Sequence, residues 1–144
     1  MPGPATVDAS VFINGFNSAE VGHEVSRALL ARLQELATPI VVPTLVLPEV
    51  AATISRVHGE SELARAFAAA LNQRPHVTFV ALDALLAQQA ADIAARQRVR
   101  SSDAVYAAVA VRFASRLISL DNEQRERLRG ILACLTPAEA LAQA

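Results

Sequence analysis

The sequence predicts an α/β fold, with a central parallel sheet of about five strands covered on both faces by helices. Three observations predict it. Short apolar runs alternate along the 144 residues with stretches whose apolar residues recur at three- and four-residue steps. One of those stretches, Ser102 to Phe113, is apolar almost all round and needs burial on every side. No repeat, linker or low-complexity stretch divides the chain, so 1–144 reads as one domain with a core at about 5–135. Strands alternating with helices build βαβ units and hence a parallel sheet.

Ala5 to Val7 is a short apolar run ending at Asp8, read as the first strand. Ala9 to Ile13 reads as a helical turn before the polar stretch Asn14 to Ser18. From Val21 to Leu36 the spacing of Val25, Leu29, Leu33 and Leu36 predicts an amphipathic helix, ended by Thr38-Pro39. Ile40-Val41-Val42 is a β-branched run and the second strand. Thr44 opens a helix to Arg56 or His58, with Pro48 tolerated near its start and Gly59 ending it. Ser61 to Asn72 is the next helix, with Leu63, Phe67, Ala70 and Leu71 as its apolar face.

Val77 to Ala81 is the third strand, and Asp83 begins the helix that runs to about Arg96. The all-apolar helix comes next, then a strand at Leu117 to Leu120 and a polar helix at Asn122 to Arg129. In that helix Arg125, Arg127 and Arg129 with Glu123 and Glu126 read as an exposed, salt-bridged face. Ile131 to Leu135 is a fifth short strand, and Thr136-Pro137 starts a final turn or two of helix.

Composition bounds the function. The chain is 53% hydrophobic and 19% charged, with 30 Ala and a single Cys, Cys134. Disorder and a disulfide scaffold are both excluded. No apolar run approaches the roughly 18 residues of a membrane span, and no basic, then apolar, leader opens the chain. The expectation is a soluble, cytoplasmic domain. Thirteen Arg, no Lys and fourteen acids give a net charge of −1. Bulk electrostatics therefore does not favour nucleic acid, and any such binding needs a local patch or bound cations.

In parallel sheets ligands gather beyond the carboxyl ends of the strands. Asp8 directly follows the first strand and Asp121 the fourth. Glu49 lies early in the helix after the second strand, and Asp103 in the first turn of the buried helix. Each also suits a structural role: Asp8 and Asp121 as N-caps, Asp121 with Gln124 at capping-box spacing, Asp103 at a helix N-terminus, and Glu49 as a solvated helix residue. Gathered together, four anions repel unless something positive neutralises them. No Lys or His lies beside them in sequence, and oxygen ligands suit Mg²⁺ or Mn²⁺. Asp83, also after a strand, reads as an N-cap. His23, His58 and His76 are too scattered for a metal site, Tyr106 reads as core, and Cys134 as a buried strand residue.

The segment Val7-Asp8-Ala9-Ser10-Val11-Phe12-Ile13 resembles the opening motif of PIN-domain ribonucleases, and Pro48-Glu49-Val50 their second acidic motif. Ser102-Asp103-Ala104-Val105-Tyr106-Ala107-Ala108-Val109-Ala110 is similar to the third. Leu117-Ile118-Ser119-Leu120-Asp121 is similar to the fourth, with Ser119 where the family usually has Thr. Among PIN domains the size and the Ala run after Asp103 look most like VapC-type toxins. The resemblance implies a PIN-like three-layer sandwich and a Mg²⁺-dependent endoribonuclease, with Mn²⁺ as an alternative ion. It places Asp8, Glu49, Asp103 and Asp121 in the acidic pocket, with Ser10 orienting Asp8. Asp8 and Asp103 would be the main metal ligands and Asp121 a further one, while Glu49 would bind metal or position water. It also implies an RNA substrate, a cognate antitoxin and a homodimer. The alternative is a catalytically silent PIN domain serving as a binding module. Arg96, Arg98, Arg100, Arg112 and Arg116 flank Asp103, either as phosphate contacts or as a solvated helix end and loop.

Overall fold

A computed structural model describes residues 3–144; Met1 and Pro2 of the expected 1–144 unit lie outside the described residues. Five strands form one sheet: β1 (Ala5–Val7), β2 (Ile40–Pro43), β3 (Val77–Val80), β4 (Arg116–Ile118) and β5 (Cys134–Leu135). Their spatial order is β3-β2-β1-β4-β5 and every pairing is parallel. The helices are α1 (Ala9–Phe16), α2 (His23–Glu35), α3 (Val46–His58), α4 (Ser61–Asn72), α5 (Ala84–Gln97), α6 (Ser101–Arg112), α7 (Asn122–Leu128) and α8 (Pro137–Gln143). The expected α/β sandwich and its five strands are present.

Alternation along β2 divides the core. Val41 packs with Leu86, Ala90, Ala104, Val105, Ala108 and Val109 of α5 and α6. Its neighbours Ile40 and Val42 point the other way, toward the cluster that takes in Phe12, Leu29, Leu33, Val46, Val50 and Leu71. The small residues of α6 let it lie close along β1, β2 and β4, and they leave it buried from Asp103 through Ala110.

The element boundaries differ from expectation where side chains find distant partners. α1 runs to Phe16 rather than for one turn, because Asn14 is buried and useful: its Nδ2 donates to Glu20 Oε1 and the Val21 carbonyl, fastening the loop beyond. α2 starts at His23, and its buried stripe is Ser26, Leu29 and Leu33, with Val25 and Leu36 exposed. Steps of four overrun a helical turn by about 40°, so Val25 falls behind Leu29 and Leu33 around the axis, while Leu36 is the C-cap, beyond the last turn. In α4 the buried positions are Ala64 and Leu71, with Phe67 half-buried and Ala70 exposed. β4 stops at Ile118, where the Leu120 amide turns away to Ser10 Oγ at 3.3 Å. β5 is only Cys134–Leu135, and α8 completes two turns behind a Thr136–Glu139 capping box.

The exposed face expected of α7 is corrected at Arg125. This residue is buried, with Nη1 donating to the Ser119 carbonyl at 2.7 Å and Nη2 to Asn122 Oδ1 at 3.3 Å. A carbonyl left over where a strand ends needs a donor, and the guanidinium supplies one. Only the Arg127–Glu123 pair of the expected face forms.

Candidate functional site

The strand order reverses between β1 and β4: from β1 the chain proceeds to β2 and β3 on one side, and from β4 to β5 on the other. A crevice opens beyond the carboxyl ends at such a point. Asp8 and Asp121 leave β1 and β4 there as the N-caps of α1 and α7. Capping and pocket roles coincide, because a helix starting at the strand end puts its cap at the crevice.

Asp8 Oδ2 accepts from the Ser10 amide at 3.0 Å, while Oδ1 accepts from Gln124 Nε2 at 3.4 Å. Ser10 thus reaches Asp8 through its backbone; its hydroxyl is engaged by the Leu120 amide. Asp121 Oδ1 accepts from the Gln124 amide at 3.1 Å, and the Asp121 amide donates to Ser119 Oγ at 3.0 Å. Gln124 is only 1% exposed and also bonds Ser119 Oγ through Oε1. Its side chain therefore does not turn back to complete the capping box. It ties the loop after β4 to Asp8 instead.

Asp103 is buried in the first turn of α6, and Glu49 is half-buried near the start of α3. Burial raises the Asp103 carboxyl above its usual range; Arg100 opposes this, and the charges of Asp8 and Asp121 add to it. Glu49 is likewise raised, first by burial and then by Asp8 and Asp103. Tyr106 and Arg100 pull it back. Hydrogen bonds tie three of the acids together, Arg100 joining Asp103 to Asp121 and Gln124 joining Asp121 to Asp8, and Glu49 is near enough to feel the charges of Asp8 and Asp103. Asp83 stays apart as the cap of α5, accepting from the Leu86 amide.

Two partners were not legible in the sequence. Tyr106 is wholly buried, as a core residue would be, yet its hydroxyl donates to Glu49 Oε1 at 2.7 Å. Burial holds the phenol protonated, so it remains a donor. Arg100 is the positive neighbour of the acids, in place of the Lys or His that their sequence surroundings lack: Nη2 donates to Asp121 Oδ2 at 2.7 Å and Nε to Asp103 Oδ2 at 3.3 Å. A cavity of about 170 Å³ lies beside it, lined also by Arg98, Gln124 and Arg127. Of the other Arg residues near Asp103 in sequence, Arg98 lines this cavity without bonding an acid, and the remaining three are occupied elsewhere. Arg96 pairs with Asp92, Arg112 bonds Gln89, and Arg116 reaches the Gly3 carbonyl at the amino-terminal end of the sheet.

Among the described residues, no three His, Cys, Asp or Glu side chains are grouped to hold a metal ion as they stand. The donor set nevertheless fits a hard divalent cation in kind. It is all carboxylate, burial and neighbouring acids disfavour the charged forms of Glu49 and Asp103, and it already attracts a cationic side chain. No described helix is long and apolar enough to cross a membrane.

Among curated proteins, none matches the chain significantly in sequence. Solved structures do share its shape. The toxin VapC20 of Mycobacterium tuberculosis, described as cleaving the sarcin–ricin loop, is 22% identical with a TM-score of 0.71, over 85% of this chain and 93% of that one. PAE2754 of Pyrobaculum aerophilum is 13% identical with a TM-score of 0.72, over 98% and 88%. VapBC2 of Rickettsia felis, bound to promoter DNA, is 13% identical with a TM-score of 0.70, over 92% and 98%. At these identities the likeness speaks for the fold. The PIN domain model matches residues 5–128 and so spans every acid of the crevice, and by that match the chain belongs to the PIN domain family.

Proposed function

We propose that the chain is a metal-dependent endoribonuclease, the toxin of a VapBC-type toxin–antitoxin module, acting with Mg²⁺ or alternatively Mn²⁺. The observation that carries this reading is the gathering of Asp8, Glu49, Asp103 and Asp121 beyond the strand ends of a PIN-family sheet, where burial and neighbouring acids raise the carboxyls of Glu49 and Asp103. A divalent cation bound there supplies a more acidic water and relief of charge at the attacked phosphate. Asp8 and Asp103 would hold it, with Asp121 as a further ligand. Glu49, kept in place by Tyr106, would orient the attacking water or accept its proton. Gln124 and the Ser10 amide fix the direction of Asp8. RNA phosphate would enter a pocket whose negative charge has first been balanced.

The proposed partners are a cognate antitoxin and a second copy of the chain. A cavity of about 310 Å³ between α1, α2 and α4, lined by Phe12, Leu30, Phe67 and Leu71 together with Arg27 and Arg74, would seat a side chain of the antitoxin. Induced in a host without that antitoxin, the wild type should arrest growth and produce new RNA ends, and Asp8→Asn or Asp103→Asn should abolish both. RNA cleavage that survives chelation of divalent ions would sink the metal mechanism. Unchanged behaviour of both variants would instead favour a silent binding module.

A further inference from the structure

Arg100 stands outside α6 as its N-cap residue but makes no side-chain cap. Its side chain is 75% exposed, and it is spent on the crevice: one guanidinium spans Asp103 on α6 and Asp121 on α7. Of the Arg residues near the pocket only this one holds two of its acids. Arg127 is committed to Glu123 and to the Arg98 carbonyl. Bridging two carboxylates is the work a divalent cation would do in the same place. The guanidinium end of both pairs is open to solvent, so it can leave at little cost once another cation takes over the two carboxylates, of which Asp103 is buried. The fork of Arg fits carboxylate and phosphate equally well, and the cavity beside it gives the released side chain somewhere to act.

We propose, resting on the ribonuclease reading above, that Arg100 is an exchangeable counter-ion. It neutralises Asp103 and Asp121 until a divalent cation takes them, then turns its fork to a phosphate oxygen of the RNA. The residue thus has two successive partners of the same geometry. In the resting protein it suppresses repulsion between acids; in the loaded protein it contacts substrate. The arrangement also orders the events, since phosphate gains its Arg only after the carboxylates have gained their cation.

The first test is calorimetric titration of Mn²⁺ alone, at low ionic strength and without RNA, into the wild type, Arg100→Gln and Arg98→Gln. Arg100→Gln removes no helix cap and should fold normally. It should bind Mn²⁺ about three- to tenfold more tightly, the gain expected when a weak exposed competitor is removed. Arg98→Gln deletes a charge that lines the same cavity but bonds neither acid, and should stay within about twofold of wild type because no carboxylate has to exchange its partner. The second test is cleavage at saturating Mn²⁺, where Arg100→Gln should raise KM for RNA about tenfold with a smaller effect on kcat. Equal Mn²⁺ affinity in wild type and Arg100→Gln, or an equal gain from Arg98→Gln, overturns the exchange. An unchanged KM overturns the phosphate contact. Absence of Mn²⁺ binding by all three proteins removes the metal reading itself and this inference with it.

Discussion

Replacing Tyr106 by Phe isolates one hydrogen bond in the crevice. The phenol is fully buried and its hydroxyl lies 2.7 Å from Glu49 Oε1. Phe keeps the ring and opens no cavity beyond one oxygen, so packing is nearly unchanged. What is lost is a bond to a charged acceptor, about 1.5–3 kcal/mol when neither side finds a substitute. Glu49 is only half-buried, and water can replace part of the bond, which puts the expected loss below that range, at about 1–1.5 kcal/mol. For a chain of this length that lowers Tm by about 3–6 °C. The carboxyl also loses the contact that holds its pKa down, so it moves further above its usual range. The acid limb of the cleavage profile should shift to higher pH, and kcat at neutral pH should fall about ten- to a hundredfold, as when a metal site loses a supporting partner. Urea denaturation gives the stability change and a pH–rate profile the functional one. A lower Tm with an unmoved acid limb and unchanged kcat would reduce Tyr106 to a core residue and refute the reasoning.

Asp103 and Glu49 predict a pH dependence of opposite sign to the common one. Both carboxyls are raised in the fold, so the folded chain holds its protons more tightly than the unfolded chain, and stability falls as pH rises from the unfolded values of 3.8 and 4.5 through the higher folded ones. Asp103→Asn should therefore raise Tm at pH 7 and flatten that decline while abolishing cleavage; a lower Tm on a melting curve would show that pairing with Arg100 outweighs the burial cost. Gln124→Ala, which empties a site 1% exposed and takes away the acceptor of the Ser119 hydroxyl proton, should cost about 2–4 kcal/mol in denaturant and loosen Mn²⁺ binding through Asp8. A loss under about 0.5 kcal/mol, the range of an ordinary surface substitution, would mean that the buried network contributes nothing to stability.

The elements and the four acids were legible because their signals are local. A short apolar run ending at Asp marks both a strand end and the helix cap beyond it, and the parallel order then carries Asp8 and Asp121 to one edge. Glu49 and Asp103 were marked by their places at helix starts. The partners of those acids were not legible, since each is chosen by three-dimensional proximity. Tyr106 lies 57 positions from Glu49 and Gln124 lies 116 from Asp8. Only one signal pointed to Tyr106: a hydroxyl among Ala and Val on a buried helix must find an acceptor. Arg125 escaped for a related reason. Charge alternation suggested a solvated face, whereas the unpaired Ser119 carbonyl at the end of β4 drew its guanidinium inward. Arg100 combines a local signal with a distant one. Its nearness to Asp103 in sequence was visible, without the pairing being read from it, and the second contact, to Asp121, exists only because β4 delivers α7 beside α6. The sheet order that makes the crevice acidic therefore also supplies the cation that balances it, and a ligand binding there must compete with a side chain of the same fold.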